Sequence, residues 1–446
     1  MDQSMPWRIR LPMMAVAAGA FVVFFSNQIR PHVGNRDQSW HEAYLFPTER
    51  PVGVDFRYGL YNPASTLLQG GDPYEYGLWY PPFSVVFSMP FQLFGVEKAY
   101  AAQIVLLFVL NIAAVWFCVS IAGVVFTTEG SPGEDAAEGI TFPFFLCFAF
   151  MVISSYGFLF SVERGNFDIY TMVASLAGLI LLVRRPNSIW LPVICFSVAA
   201  HLKVYPAILY GLIMWRHGRK SIGPLLLVNG AFFLCLGFSP VIHFLNVIHG
   251  VTGSPAIWVG NHSAASFSSL VNTYLAARGL SPLPGLVFFV MPLIVWLVPV
   301  LRLFKQGHSD RGAVWFFVLC VPLMNLIPST SHDYKLVLLT SPLAVLLLSR
   351  IRELGFTGRR ILALQLTAGT ALAVFLSLSY TAFPPVLGNK YPFILALQLL
   401  LAWAVFSSPP VTHGGVVHRE TAPPAPERAG SSSDEAIQVY LVPVDP

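Results

Sequence analysis

A chain of 446 residues that is 55% hydrophobic and only 11% charged is not built for water, since a soluble domain carries about 25% charged residues. The net charge of +4 comes from arginine and lysine clusters lying between apolar runs, so it reports membrane topology rather than nucleic-acid binding. Cys118, Cys147, Cys195, Cys235 and Cys320 all lie in apolar runs without a CxxC pair, which reads as small hydrophobes rather than a metal or redox centre.

Apolar runs near the ~20 residues needed to cross a bilayer recur along most of the length. In lipid each segment must satisfy its own backbone, so these runs are expected to be helices. They do not alternate as barrel strands would. The expected fold is an all-α polytopic membrane protein. Residues 1–10 are basic through Arg8 and Arg10, which the positive-inside rule places in the cytoplasm. The first run, 11–25, lacks a small-residue cleavage site and is expected to stay as an anchor. A long polar interval then reaches residue 83.

The next apolar stretch, 83–94, is short and interrupted by Pro90. If it crossed, the clusters at 184–185, 216–220, 302–311 and 350–360 would all fall outside. If it stays on the outer face, all fall inside, as the rule demands. The expected spans are then 11–25, 99–125, 140–161, 167–183, 188–202, 206–215, 222–243, 284–304, 312–328, 335–349, 360–379 and 391–407, about twelve in all. The acidic loop 129–138 falls inside and a long loop, 244–283, outside. Residues 1–407 form one transmembrane domain. The tail, 408–446, is rich in proline, serine and alanine and reads as a disordered cytoplasmic extension.

With this topology the unusual polar motifs meet at the outer face. Glu163-Arg164-Gly165-Asn166-Phe167-Asp168 joins two helices, as do His201 to Pro206 and Ser329 to Lys335. The first loop, with Glu49, Asp55, Asp72 and Glu75, lies on the same side, as do Asn261, His262, Ser263, Asn272 and Tyr274. Ionisable groups near membrane depth are costly and mark functional paths. Taken singly, each has a plain structural reading. Arg164 and Lys203 can snorkel to headgroups, Asp168 can complement a helix dipole, and Asp72 can make a turn. Gathered at one end of a bundle, they point to a polar cavity.

The order Asp55-Phe56-Arg57-Tyr58, Gly70-Gly71-Asp72-Pro73-Tyr74, Tyr80-Pro81-Pro82-Phe83, Arg164-Gly165-Asn166, Lys203-Val204-Tyr205-Pro206 and Ser331-His332-Asp333-Tyr334-Lys335 resembles the bacterial GT-C glycosyltransferases that use polyprenyl-phosphate sugars. The nearest group is the polyprenol-phosphate-mannose-dependent α-mannosyltransferases. The resemblance spans about residues 10–405 and implies a GT-C-like bundle with a large first outer loop. It also implies a general base in that loop, at Asp55, with Glu49 and Asp37 as competitors. Family members often carry Arg-Gly-Gln where this chain has Arg164-Gly165-Asn166, which keeps an amide but shortens it.

The implied substrate-binding set is Tyr58, Tyr80, Arg164, Asn166, Asp168, Lys203, Tyr205, His332, Asp333 and Lys335. The implied partners are a polyprenyl-phosphate sugar donor, with mannose expected, a lipid or glycan acceptor, and membrane lipid. No nucleic acid, cofactor or metal is expected, since there is no AspXxxAsp pair. One carboxylate and a phosphate leaving group suit direct displacement with inversion. The rival reading, a transporter or lipid flippase, would place its polar residues near the midplane and often shows internal repeats. Here they gather at one end, which favours an enzyme.

Overall fold

The structure, a computed structural model, describes residues 7–29, 52–75, 80–126, 134–251, 260–328, 331–357, 360–379, 383 and 388–408. Asp37, Glu49 and the tail beyond 408 lie outside the described residues. The longer helices are α1 (Trp7–Phe24), α2 (Val96–Val125), α3 (Glu134–Ile153), α4 (Tyr156–Arg164), α5 (Asp168–Arg184), α6 (Trp190–Leu202), α7 (Tyr210–His217), α8 (Ile222–Phe233), α9 (Phe238–Val251), α10 (Ala264–Ala276), α11 (Gly285–Gln306), α12 (Asp310–Leu326), α13 (Thr340–Thr357), α14 (Arg360–Ser377) and α15 (Tyr391–Ser407). Among the described residues there is no β-strand, only an isolated bridge between Asn261 and His332.

The bundle is organised around α12 and the segment leading into α13. Every residue from Gly312 to Leu326 is buried, and so is every residue from Asp333 to Arg352. A helix apolar on all sides belongs in the centre. The helices around it turn leucine, isoleucine and valine outwards: Val105, Val109 and Ile112 on α2, and Leu286, Ile294 and Leu301 on α11, are all exposed. Such a surface is stable against lipid, not against water.

By length and composition five helices can cross a membrane alone, or up to seven if each of two bent pairs counts as one span. The expected count of twelve is not reached by this measure: several expected spans form helices of 17 residues or fewer, among them α5, α6, α12 and α15, and two others are broken where hydropathy shows no break. The expected single span 140–161 bends by 56° between α3 and α4, where Ser155 caps α4 by accepting from the Phe158 N–H. The expected span 222–243 ends at Phe233, and α9 leaves at 92° after Gly237, whose φ is 87°. Residues 264–276, expected in a loop, form α10 with Ser263 as its cap. The expected turn at 216–220 is present. Tyr210 and Asn229 hydrogen-bond each other, whereas a straight helix would hold residues 19 apart at ~28 Å. The chain therefore reverses at Gly218. The short helix Pro82–Ser88 and the 3-10 turn Met89–Leu93 together reach only ~20 Å, short of a ~30 Å hydrocarbon core.

The basic clusters share one end. Arg216 bonds the His308 carbonyl at 2.6 Å and Asp310 at 2.9 Å. Glu353 accepts from both Arg311 and the fully buried Arg350, and Arg352 reaches the Gly123 carbonyl at 2.6 Å. Asp168 and Arg184 stand at opposite ends of α5, ~24 Å apart along its axis. Lys335 and Arg352 are likewise separated along the buried stretch through α13. The acidic-basic motifs of the expected site thus lie at the opposite end of these helices from the basic clusters.

Glu353→Ala would leave Arg350 buried without its carboxylate. The expected cost is roughly 3–5 kcal/mol of stability, read as a lower melting midpoint in detergent. An unchanged midpoint would contradict the ion-pair assignment.

Candidate active site

The site begins with the end of α4. The helix closes on Gly165 in the left-handed region, φ 67°. The Gly165 N–H bonds the Val162 carbonyl and the Asn166 N–H bonds the Ser161 carbonyl, both at 3.1 Å, which is the paired pattern that ends helices on a glycine. Tyr100 of α2 presents its hydroxyl to the carbonyls of Val162 and Glu163, at 2.9 Å each. This turn aims Arg164 and Asn166 the same way.

The first loop meets them there. Gly53, with φ 78°, donates to the Glu163 carbonyl at 2.8 Å and starts the short helix Val54–Phe56. The Asp55 carboxylate is then held from both sides. Arg164 reaches Oδ1 at 3.0 Å and the Asn166 amide donates to Oδ2 at 2.7 Å. The approach requires two glycines. A Cβ on Gly165 would stand 2.6 Å from Phe56 Cβ, and one on Gly53 2.7 Å from the Tyr100 ring.

Lysines form the next layer. Asp168, wholly buried at the start of α5, accepts from the Tyr205 hydroxyl and lies 3.9 Å from Lys203 Nζ. Lys203 also donates to the Tyr80 hydroxyl at 3.2 Å and lies over the Tyr80 and Tyr334 rings. Lys335 Nζ lies 4.8 Å over the Tyr205 ring and feels the charges of Asp168 and Lys203. Both lysines are more than nine-tenths buried. Burial works against the Lys203 charge, but Asp168, Tyr80 and Asp55 outweigh it and raise its pKa. His332 packs on Tyr334 with ring centres 5.6 Å apart. Burial lowers its pKa, opposed by Asp55, so the imidazole is a neutral hydrogen-bonding group near pH 7.

The structure therefore brings together Asp55, Tyr80, Arg164, Asn166, Asp168, Lys203, Tyr205, His332 and Lys335. It does not bring in Tyr58, which is 60% exposed in the π-helical turn after Asp55. Asp333 is buried, but its Oδ1 lies 3.3 Å from His262 Nδ1, away from the lysines' partners. Asp72 is a turn residue as expected, accepting from the Tyr74 N–H at 2.9 Å, and it also contacts His243. Sequence reasoning missed Tyr100 and Tyr334 as a ring beneath Lys203; Gln103, a polar residue expected to bond between helices, bridges the Gly165 carbonyl and the Tyr170 hydroxyl.

Electrostatically the cluster sets the Asp55 carboxylate, restrained by a guanidinium and an amide, beside the Lys203–Asp168 pair, the Lys335 amine and an imidazole, among tyrosines. Such a set can accept a proton on one side and stabilise an anionic leaving group on the other. Gly165→Ala tests the geometry. The left-handed turn costs an alanine about 1–2 kcal/mol, and the Cβ must push Phe56 away. Turnover is expected to fall at least ~10-fold because small misplacements of reacting groups are expensive. Turnover at the wild-type level would show that the close approach is not needed.

A family model for glycosyltransferase family 87 matches residues 78–342, more than half of the chain. The matched stretch covers Tyr80, Arg164, Asn166, Asp168, Lys203, Tyr205, His332, Asp333 and Lys335, and begins after Asp55 and Tyr58. No curated protein matches the chain. The chain belongs to glycosyltransferase family 87, a GT-C family of polyprenol-phosphate-dependent transferases, and is a multi-pass glycosyltransferase with a sugar donor and an acceptor.

Proposed function

We propose that the protein moves a mannosyl unit from a polyprenyl-phosphate donor to a lipid or glycan acceptor at the outer face of the membrane, with inversion. Asp55 is the general base. The observation that carries this reading is the Asp55 carboxylate, gripped by Arg164 and Asn166, in the same cluster as the buried Lys203 and Lys335.

Each carboxylate oxygen has a second lone pair beyond the one its partner uses, so Asp55 can still accept the acceptor's hydroxyl proton. The oxygen attacks the anomeric carbon as the bond to the phosphate oxygen breaks, and that electron pair leaves with the phosphate. Lys203, Lys335 and His332 stabilise the phosphate as its charge grows, while Arg164 holds Asp55 in place. Tyr80 orients the Lys203 ammonium directly, while Tyr205 and Lys203 share the Asp168 carboxylate. Side-chain cations supply the charge this reading needs, so it calls for no metal. Displacement on a β-linked mannosyl phosphate gives an α-mannoside. The lipid tail runs beside the Pro82–Ser88 helix, where Phe83 stacks on Phe232 at 4.4 Å and Phe87 packs on Phe167 and Tyr170.

The outer-face assignment is supported by the basic clusters at the far end of α5 and α13, which the positive-inside rule retains in the cytoplasm. Cysteines placed at Tyr58 or Val204, both exposed at the site end, are expected to react with an impermeant thiol reagent in intact cells, whereas one at Arg219 is not. Labelling at 219 from outside would reverse the orientation.

Asp55→Asn is the direct test of the base. General-base catalysis is worth about 10²- to 10⁴-fold, and asparagine retains the shape without the basicity. Turnover of polyprenyl-phosphate mannose is expected to fall by that factor in protein of normal melting behaviour. Near-normal turnover would remove Asp55 from the role. A panel of polyprenyl-phosphate sugars assayed alongside tests mannose, since a faster donor would replace it.

A further inference from the structure

His262 lies outside the cluster described above, yet it is completely buried and touches the strip that carries His332. His332 is extended beside Asn261, and Asp333 opens the 3-10 turn Asp333–Leu339. The His262 N–H donates to the Ser331 carbonyl at 2.9 Å, the Asp333 N–H to the Gly260 carbonyl at 3.1 Å, and Asn261 pairs with His332 across the bridge. The contacts place Ser331 and Asp333 on one side of the strip and His332 on the other. His262 Nε2 lies 3.0 Å from Ser331 Oγ and its Nδ1 3.3 Å from Asp333 Oδ1, while His332 lies against Tyr334 in the field of Asp55 and Arg164. One imidazole thus grips both inward side chains of the strip. The same Nε2 lies 3.1 Å from the side-chain oxygen of Asn325 on α12, a helix buried from Gly312 to Leu326.

We propose that His262 is a positioning residue for sugar transfer, holding Ser331 and Asp333 so that the intervening His332 is presented to the donor phosphate. The proposal rests on the reading of His332 as a phosphate contact. Its physical basis is orientation. Holding Ser331 and Asp333 on one side fixes the intervening His332 on the other. Without the imidazole both lose a hydrogen-bond partner, and the His332 ring is no longer held on the phosphate, where small misplacements are expensive. The backbone pairing does not depend on the imidazole. Asn261 Oδ1 accepts from the Ser331 and Ser263 N–H groups at 2.9 and 3.1 Å, and Asn389 donates to the Asn261 carbonyl at 2.8 Å. A His262 variant keeps these bonds.

The test is a double-mutant cycle on the full chain in detergent or nanodiscs, with kcat/KM for polyprenyl-phosphate mannose as the readout. His262→Leu removes both grips. His262→Asn keeps a polar group that can reach Asp333, and it carries the test if the leucine variant does not fold. In the otherwise wild-type protein, His262→Leu is expected to lower kcat/KM at least ~10-fold and His262→Asn to recover part of that loss. In the His332→Ala background the same changes are expected to cost less than ~2-fold, because contacting residues that act through one another are not additive. Equal losses in both backgrounds, or no loss on His262→Leu, would overturn the proposal while leaving the His332 reading intact. If His332→Ala alone is harmless while His262→Leu is not, the phosphate reading of His332 falls and the positioning role with it.

Discussion

The contact on which the arrangement depends is the double grip on Asp55. A carboxylate whose side chain is only 16% exposed at the edge of an apolar bundle needs partners for both oxygens, or it loses its charge. Arg164 and Asn166 provide them from a single helix-ending turn, so the position of Asp55 follows from the position of α4. That helix is placed in turn by Gly157, where a Cβ would meet Leu336 Cβ at 2.9 Å and the Asp333 carbonyl at 3.1 Å. The same close packing sets Arg164 beside the strip bearing His332 and Lys335. Tyr100 fixes the third side by holding the last carbonyls of α4. The base, the guanidinium and the cationic strip are therefore positioned through backbone contacts that few residue types permit.

Charge is distributed along the bundle in two sets with different characters. At the far end, arginines bond carbonyls and share Glu353, which is what cations do when their task is to anchor helices. At the site end, both lysines lean on tyrosine rings, and Lys203 pairs with one carboxylate, Asp168. Aromatic faces stabilise an ammonium without supplying full negative charge, so such lysines remain able to meet an anion. This contrast favours a phosphate-binding reading over snorkelling for Lys203 and Lys335. It also agrees with membership of a polyprenol-phosphate-dependent family.

Much of the site was legible because a charged residue in an apolar chain is conspicuous: its burial costs too much to be incidental. Asp55, Arg164, Asp168, Lys203 and Lys335 stood out on that ground, and the order of their motifs did the rest. Tyr58 did not follow, since nearness to Asp55 in sequence does not decide which face of a helical turn a ring occupies. The bends at Ser155 and Gly237 were hidden because a hydropathy run continues through a break that serine or glycine makes. Helix α10 was hidden by its serines, threonine and asparagine, which suit a loop equally well by composition. The His262 grip joins residues some 70 positions apart, and no local pattern encodes it.

The central claim places one donor phosphate between Lys203, Lys335 and His332, with the anomeric carbon turned towards Asp55. A cryo-electron microscopy structure of the protein with a bound polyprenyl-phosphate sugar measures this directly. The account predicts phosphate oxygens within hydrogen-bonding distance of Lys203 and at least one of Lys335 and His332, and Asp55 on the opposite side of the sugar. A phosphate bound away from these side chains, or lying on the same side of the sugar as Asp55, would contradict it.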